Sequence, residues 1–243
     1  MATTDTASSA ATRVVRVSDT TVRDLLLVAL TFSSGAVDAI AFLGLDKVFT
    51  AFQTGNLVFL GIGASDAGGP GIVRVACSLL GFAAGVFASS LVLRSASESG
   101  PWPRRATVMV SAAFAAQAAF LALWAATSGR PGTGSGHALA VLSALAMGMQ
   151  SGAILSLAVT GVFTTAATAT VIILMKDVAD PSGTESAARA RLALVLVALS
   201  AGAAAGALLL VHARAYAPVI PLVATALVIA TASIAFRGGS SSR

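Results

Sequence analysis

Ser34-Gly35-Ala36-Val37-Asp38 and Val48-Phe49-Thr50-Ala51-Phe52-Gln53-Thr54-Gly55-Asn56-Leu57-Val58 are the two stretches that decide how this chain is read. The first sets an acid in the middle of a long apolar run. The second holds too many amide and hydroxyl groups for a helix that faces lipid, and is too apolar for an ordinary loop. Around them, 56% of the 243 residues are hydrophobic and 10% are charged, with a mean hydropathy of +0.89. Soluble domains carry about 25% charge, so this deficit places the chain in the membrane class. Six apolar stretches, 24–45, 71–93, 106–126, 138–159, 190–212 and 217–236, each approach the roughly 20 residues that a helix needs to cross a ~30 Å hydrocarbon core.

The expected fold is therefore all-α: a polytopic membrane helix bundle of about six spanning helices plus two short re-entrant or broken segments. The first short segment, 48–63, has 16 residues and reaches only ~24 Å as a helix, less than the ~30 Å core. Its counterpart is 162–175. If neither crosses, Arg13, Arg16, Arg23, Arg94, Arg104, Arg105, Lys176, Arg189, Arg191, Arg237 and Arg243 share the side of the N-terminus, and Lys47, Arg74, Arg130 and Arg214 lie opposite. If both cross, eight spans result and Arg94, Arg104 and Arg105 change sides. The excess of basic residues on cytoplasmic loops favours six spans with the N-terminus inside. The net charge of +5 sets orientation in this reading; it sits in clusters at span ends and is no nucleic-acid footprint. Residues 1–20 read as a disordered cytoplasmic tail, 21–236 as one membrane domain and 237–243 as a second tail. The first apolar run, 25–45, is longer than the 7–15-residue core of a signal peptide, so it reads as a retained helix.

Three matches recur in the same order. Ser34-Gly35-Ala36 returns as Ser151-Gly152-Ala153, Val48-Phe49-Thr50 as Val162-Phe163-Thr164, and Gly81-x-x-x-Gly85 as Gly202-x-x-x-Gly206. Together they suggest an internal two-fold repeat with halves at about 24–126 and 138–236. Three spans per half would invert the second half relative to the first, an architecture that places solute sites between the halves.

Asp38 is the ionisable residue deep within a span, and an acid there faces the bundle interior or water. It reads as a proton or cation acceptor, as an anchor for a hydrogen-bonding solute, or as a hydrogen-bonded acid that holds the first helix to Gln53, Asn56 or Gln150. Gln53, Thr54, Gly55 and Asn56 gather donors, acceptors and a flexible residue. A helix break at Gly55 would line a cavity, because bare backbone is not tolerated against lipid; the same residues also suit an interhelical clamp. Gln150 joins them as a candidate solute contact. Gly81, Gly85, Gly202 and Gly206 are candidate helix-packing positions, within or between copies of the chain. Cys77 is the only cysteine, which excludes an internal disulfide and a multi-cysteine metal site. No nucleotide-binding, zinc-protease or nucleophile-elbow motif occurs, so neither a cofactor nor catalysis is expected.

Ser34-Gly35-Ala36-Val37-Asp38-Ala39, then Val48-Phe49, Gln53-Thr54-Gly55-Asn56-Leu57 and Gly148-Met149-Gln150 resemble the YoaK family of bacterial inner-membrane proteins, a family of unknown function. The similarity covers roughly 24–236 and departs from the family pattern at Ser151 and at Thr168-Ala169-Thr170. It implies a multi-pass protein of the bacterial inner membrane and supplies no substrate. The residues themselves favour a secondary transporter or permease for a small solute, with Asp38 as a candidate proton carrier. A scaffold or partner subunit and a passive channel are the alternatives. The expected partners are the lipid bilayer and that solute, with assembly into a homo-oligomer left open.

Overall fold

The computed structural model describes residues 18–65, 67–94, 100–159, 167–180 and 186–236. Its helices are α1 (Asp19–Gly44), α2 (Gln53–Ala64), α3 (Ile72–Leu93), α4 (Arg104–Ala126), α5 (Thr133–Leu155), α6 (Ala167–Ala179), α7 (Ser186–His212) and α8 (Val219–Ala235). A 3₁₀ turn, Arg214–Tyr216, leads into α8. Six of these segments are long and apolar enough to cross a membrane. The helix starts depart from the sequence reading by a few residues. Ser18 caps α1 by accepting from the Thr21 N–H, so the helix begins inside the stretch read as a tail. The two tails otherwise lie outside the described residues.

Three apolar clusters fix the direction of every helix. At one end, Leu26, Leu27 and Leu30 of α1 meet Trp102, Met109, Ile154, Leu192, Val195 and Ala232. This end therefore collects the starts of α1, α4 and α7 and the finishes of α5 and α8. At the other end, Ile40 and Leu45 meet Val75, Phe120, Trp124, Leu139, Leu210 and Ala217. Between the two lies a small cluster of Val37, Ala51, Ala113, Ala146 and Met147. Asp24 confirms that α1 and α7 run side by side in the same direction, since its Oδ2 accepts from Arg191 Nη1 at 3.0 Å.

The most extensive contacts are α1 with α7 and α3 with α5, followed by α4 with α5 and α1 with α8. Glycine makes the two leading contacts close. A Cβ on Gly202 would strike the carbonyl of Phe32, and one on Gly206 that of Ala36. In α3, a Cβ on Gly81 would lie 2.8 Å from the Val141 carbonyl oxygen, and one on Gly85 would strike that of Leu145. Without side chains at these points the backbones touch, which in lipid supplies the dispersion that apolar burial supplies in water. All four glycines thus sit at crossings inside one chain.

The two short helices do not cross. After α1 the chain turns through Asp46 and Lys47, both left-handed at φ 63° and 60°, and runs inward so that Ala51 reaches the middle cluster. From there α2 returns to the end it came from: Phe59 and Leu60 pack on the cluster of Leu45 and Trp124, and Ile62 lies against Gly69. At 12 residues it rises ~18 Å, about half the core. Helix α6, 13 residues long, places Ile173 and Leu174 against the opposite end cluster. The two half-helices therefore run toward opposite ends, which favours six spans over eight.

Candidate functional site

The inward stretch 49–52 ends just before α2, where a helix leaves unsatisfied N–H groups. Phe52, the residue at the cap, offers no side-chain acceptor. Asp38 supplies it from the facing helix. Its Oδ1 accepts from the Thr50 N–H at 2.8 Å and the Ala51 N–H at 2.8 Å, and its Oδ2 from the Phe52 N–H at 2.9 Å. The positive end of α2 adds a favourable dipole for the carboxylate. The break therefore lies at 49–52, and Gly55 is inside the helix rather than at the break. A Cβ on Gly55 would meet the rings of Phe49 and Phe52 at 3.0 Å, so Gly55 lets two aromatic rings close over the first turn.

Asn56 holds the other edge of the break. Its Oδ1 accepts from the Phe49 N–H at 3.1 Å, and its Nδ2 donates to the Phe49 carbonyl at 2.6 Å and to Gln53 Oε1 at 2.8 Å. Gln53 Nε2 donates to the Thr50 carbonyl at 2.9 Å. Ser78 of α3 closes the ring by donating to the Phe49 carbonyl at 2.6 Å and accepting from both Gln53 and Asn56 at 3.2 Å. Thr50 reaches α5 through Ser143 Oγ at 2.9 Å. All four N–H groups of the break and the carbonyls of Phe49, Thr50 and Ala51 are thus paired by protein, as a non-helical segment at membrane depth requires.

The structure brings Asp38, Gln53 and Asn56 together, but on the same short piece of backbone and through different atoms of it. Thr54 is exposed on the outer side of α2. Gln150 stands apart: it is fully buried and its Nε2 donates to the Leu30 carbonyl of α1 at 3.2 Å. It tethers α5 to α1 and does not line the cavity beside Asp38. Ser78 and Ser143 were not singled out from sequence. Their only signal there is a lone small hydroxyl in an apolar span, which commonly bonds its own backbone. Replacing Ser78 by alanine should strip the Phe49 carbonyl, Gln53 and Asn56 of a shared partner. A loss of about 1–2 kcal/mol in unfolding free energy is expected, measurable by denaturant titration in detergent.

Beside the break lies a cavity of about 660 Å³. Its walls include Asp38, Phe42, Phe49 and Phe52 on one side, Ala203, Ala204 and Ala207 of α7 on another, and Thr168 at the start of α6. Ser34 also lines it, and its Oγ is buried without a hydrogen-bond partner. The cavity thus touches the starts of both half-helices. The second-half run 160–166 lies outside the described residues, so Val162-Phe163-Thr164 has no structural account.

A family model described as "Protein of unknown function (DUF1275)" matches residues 26–231. The chain is also 33% identical over 156 residues to the "UPF0700 transmembrane protein YoaK" of Bacillus subtilis (strain 168), covering 64% of this chain and 67% of that protein. No solved structure matches.

Proposed function

This chain belongs to the DUF1275 family, and from that premise we propose that it is a permease for a small solute, working through the cavity beside Asp38. It is a multi-pass membrane protein of a family that includes a named transmembrane protein. The observation that carries the proposal is the meeting of two half-helices at one cavity, α2 through Asp38 and Phe52, α6 through Thr168. Discontinuous helices that start near mid-depth and run to opposite ends form the solute site of many secondary transporters. The volume falls within the 300–1,000 Å³ typical of small-molecule sites.

An internal inverted repeat belongs to the same proposal. Helix α1 pairs with α7 as α5 pairs with α3, and α1 and α5 run in opposite directions. Gly35 and Gly152 both stand at crossings, against Leu199 and Ser89. Rocking of one helix pair against the other would expose the cavity to each side in turn. The bacterial inner membrane, with the α1 start inside, is the proposed location. The clusters at that end include Arg23, Arg104 and Arg191, as the positive-inside rule asks. The partners are then the bilayer and the solute, without nucleic acid, and the reading includes no catalytic step.

Reconstitution tests the permease reading. Proteoliposomes bearing the wild-type chain should move at least one member of a panel of amino acids, sugars and organic cations faster than those bearing Ala204→Trp, in which an indole occupies the cavity. Rates no higher than those of protein-free liposomes for every solute would exclude transport of this panel, and equal rates above that level in the two proteins would exclude the cavity as the route. One observation favours a second reading, a scaffold: Asp38, Gln53 and Asn56 spend their hydrogen bonds within the chain. A scaffold would show no flux and would co-purify with a stable membrane partner.

A further inference from the structure

We propose that the cavity beside Asp38 takes an amphipathic organic cation, an ammonium-like centre on an apolar body. The claim names the solute class of the site assigned above and rests on that reading of the cavity.

Charge is the first argument. Among the described residues that line the cavity, Asp38 is the only one that is ionisable. The three N–H groups that hold it are dipoles and do not cancel a unit charge. A carboxylate has about four acceptor positions; three are taken, two on Oδ1 and one on Oδ2, which leaves Oδ2 able to accept again. An anion placed here would meet repulsion in surroundings that screen it poorly. A neutral solute would leave the charge unused.

Aromatic geometry is the second. Phe42 and Phe49 stack with centroids 4.9 Å apart, and Phe52 stands edge-on to Phe49 at 5.3 Å and 85°. Phe59 also lies parallel to Phe49 at 6.1 Å, so the three cavity rings belong to one aromatic cluster, and a ring face open to the cavity attracts a cation, most strongly out of water. The wall across from α1 is built from Leu199, Ala203, Ala204 and Ala207 of α7. It carries no polar side chain and accepts an apolar body.

The test is binding to the full chain in lipid nanodiscs, with empty nanodiscs as the partition control. The probe is radiolabelled benzyltrimethylammonium; its competitors are the neutral carbon isostere neopentylbenzene and the anion benzenesulfonate. Saturable binding of the cation is expected, with the neutral isostere at least about tenfold weaker and the anion without effect. Asp38→Asn should abolish the preference for charge. Because that variant also loosens the break, the double variant Phe42→Leu, Phe49→Leu is the second arm: it should weaken the cation about tenfold and leave the isostere unchanged. Equal competition by cation and isostere, displacement by benzenesulfonate, or no saturable binding would each overturn the proposal. Saturable cation binding without flux in proteoliposomes would support it while removing the permease. Flux of neutral solutes without cation binding would remove it while keeping the permease.

Discussion

Replacing Asp38 by alanine is expected to destabilise the protein by about 3–5 kcal/mol, the lower part of the sum for three donors left unpaired. The cause is the state of what remains. The N–H groups of Thr50, Ala51 and Phe52 lose their acceptor, and Thr50 and Ala51 are buried where water does not replace it. A buried donor left unpaired costs about 1–3 kcal/mol, and partial relaxation of the stretch keeps the total below three full penalties. Asp38→Asn separates charge from hydrogen bonding. If its oxygen takes the Oδ1 position it keeps the bonds to Thr50 and Ala51, but its NH₂ then faces the Phe52 N–H, donor against donor. A smaller loss of about 1–3 kcal/mol follows. Denaturant titration in detergent measures both. The single cysteine offers a local readout: Cys77 is half-buried and adjacent to Ser78, which clamps the Phe49 carbonyl. Its maleimide labelling should quicken in both variants. Wild-type stability and an unchanged labelling rate in Asp38→Asn would refute the capping role.

The second large effect is steric. Gly202→Ala sets a methyl group on the Phe32 carbonyl, and Gly148→Ala sets one on the Phe82 carbonyl. Backbone cannot rotate aside as a long side chain can, so the helices must separate, and overpacking of this kind costs about 1–3 kcal/mol. Gly202→Leu should prevent the α1–α7 contact and leave little monodisperse protein on gel filtration. Gly61→Ala is the control, since a Cβ there meets nothing within 4 Å. If Gly202→Ala were as stable as Gly61→Ala, the close crossing would be wrong.

Much of the fold was legible because lipid restricts the choices. Runs of about 20 apolar residues have one reading, and the shortness of 48–63 already argued against a full crossing. What sequence left open was what the polar groups bind. Asp38 and Gln53-Thr54-Gly55-Asn56 were legible as a centre, since polar groups at depth must be paired. Their partners are mainly backbone atoms of residues 49–52, and backbone carries no signature in a sequence. Placing the break at Gly55 followed from glycine's flexibility. The break falls earlier, because an acceptor on another helix is what satisfies the open N–H groups. Gln150 belonged to the same motif set by composition, yet a helix face separates it from the cavity, and that depends on rotation about α5. The aromatic corner was hidden for a similar reason: Phe42 and Phe49 meet only after the chain reverses at Asp46 and Lys47.

The cross-pairing of α1 with α7 and α3 with α5 has a consequence for biogenesis. When the first half leaves the ribosome, the partners of Gly35, Gly81 and Gly85 are not yet made. The clasp from Asp38 to residues 50–52, in contrast, closes over 12 to 14 positions and needs nothing synthesised later than α2. The nascent chain thus inserts with its half-helix already fastened and its glycine seams bare, and an N-terminal fragment ending after α4 should be cleared by membrane proteases while the whole chain persists.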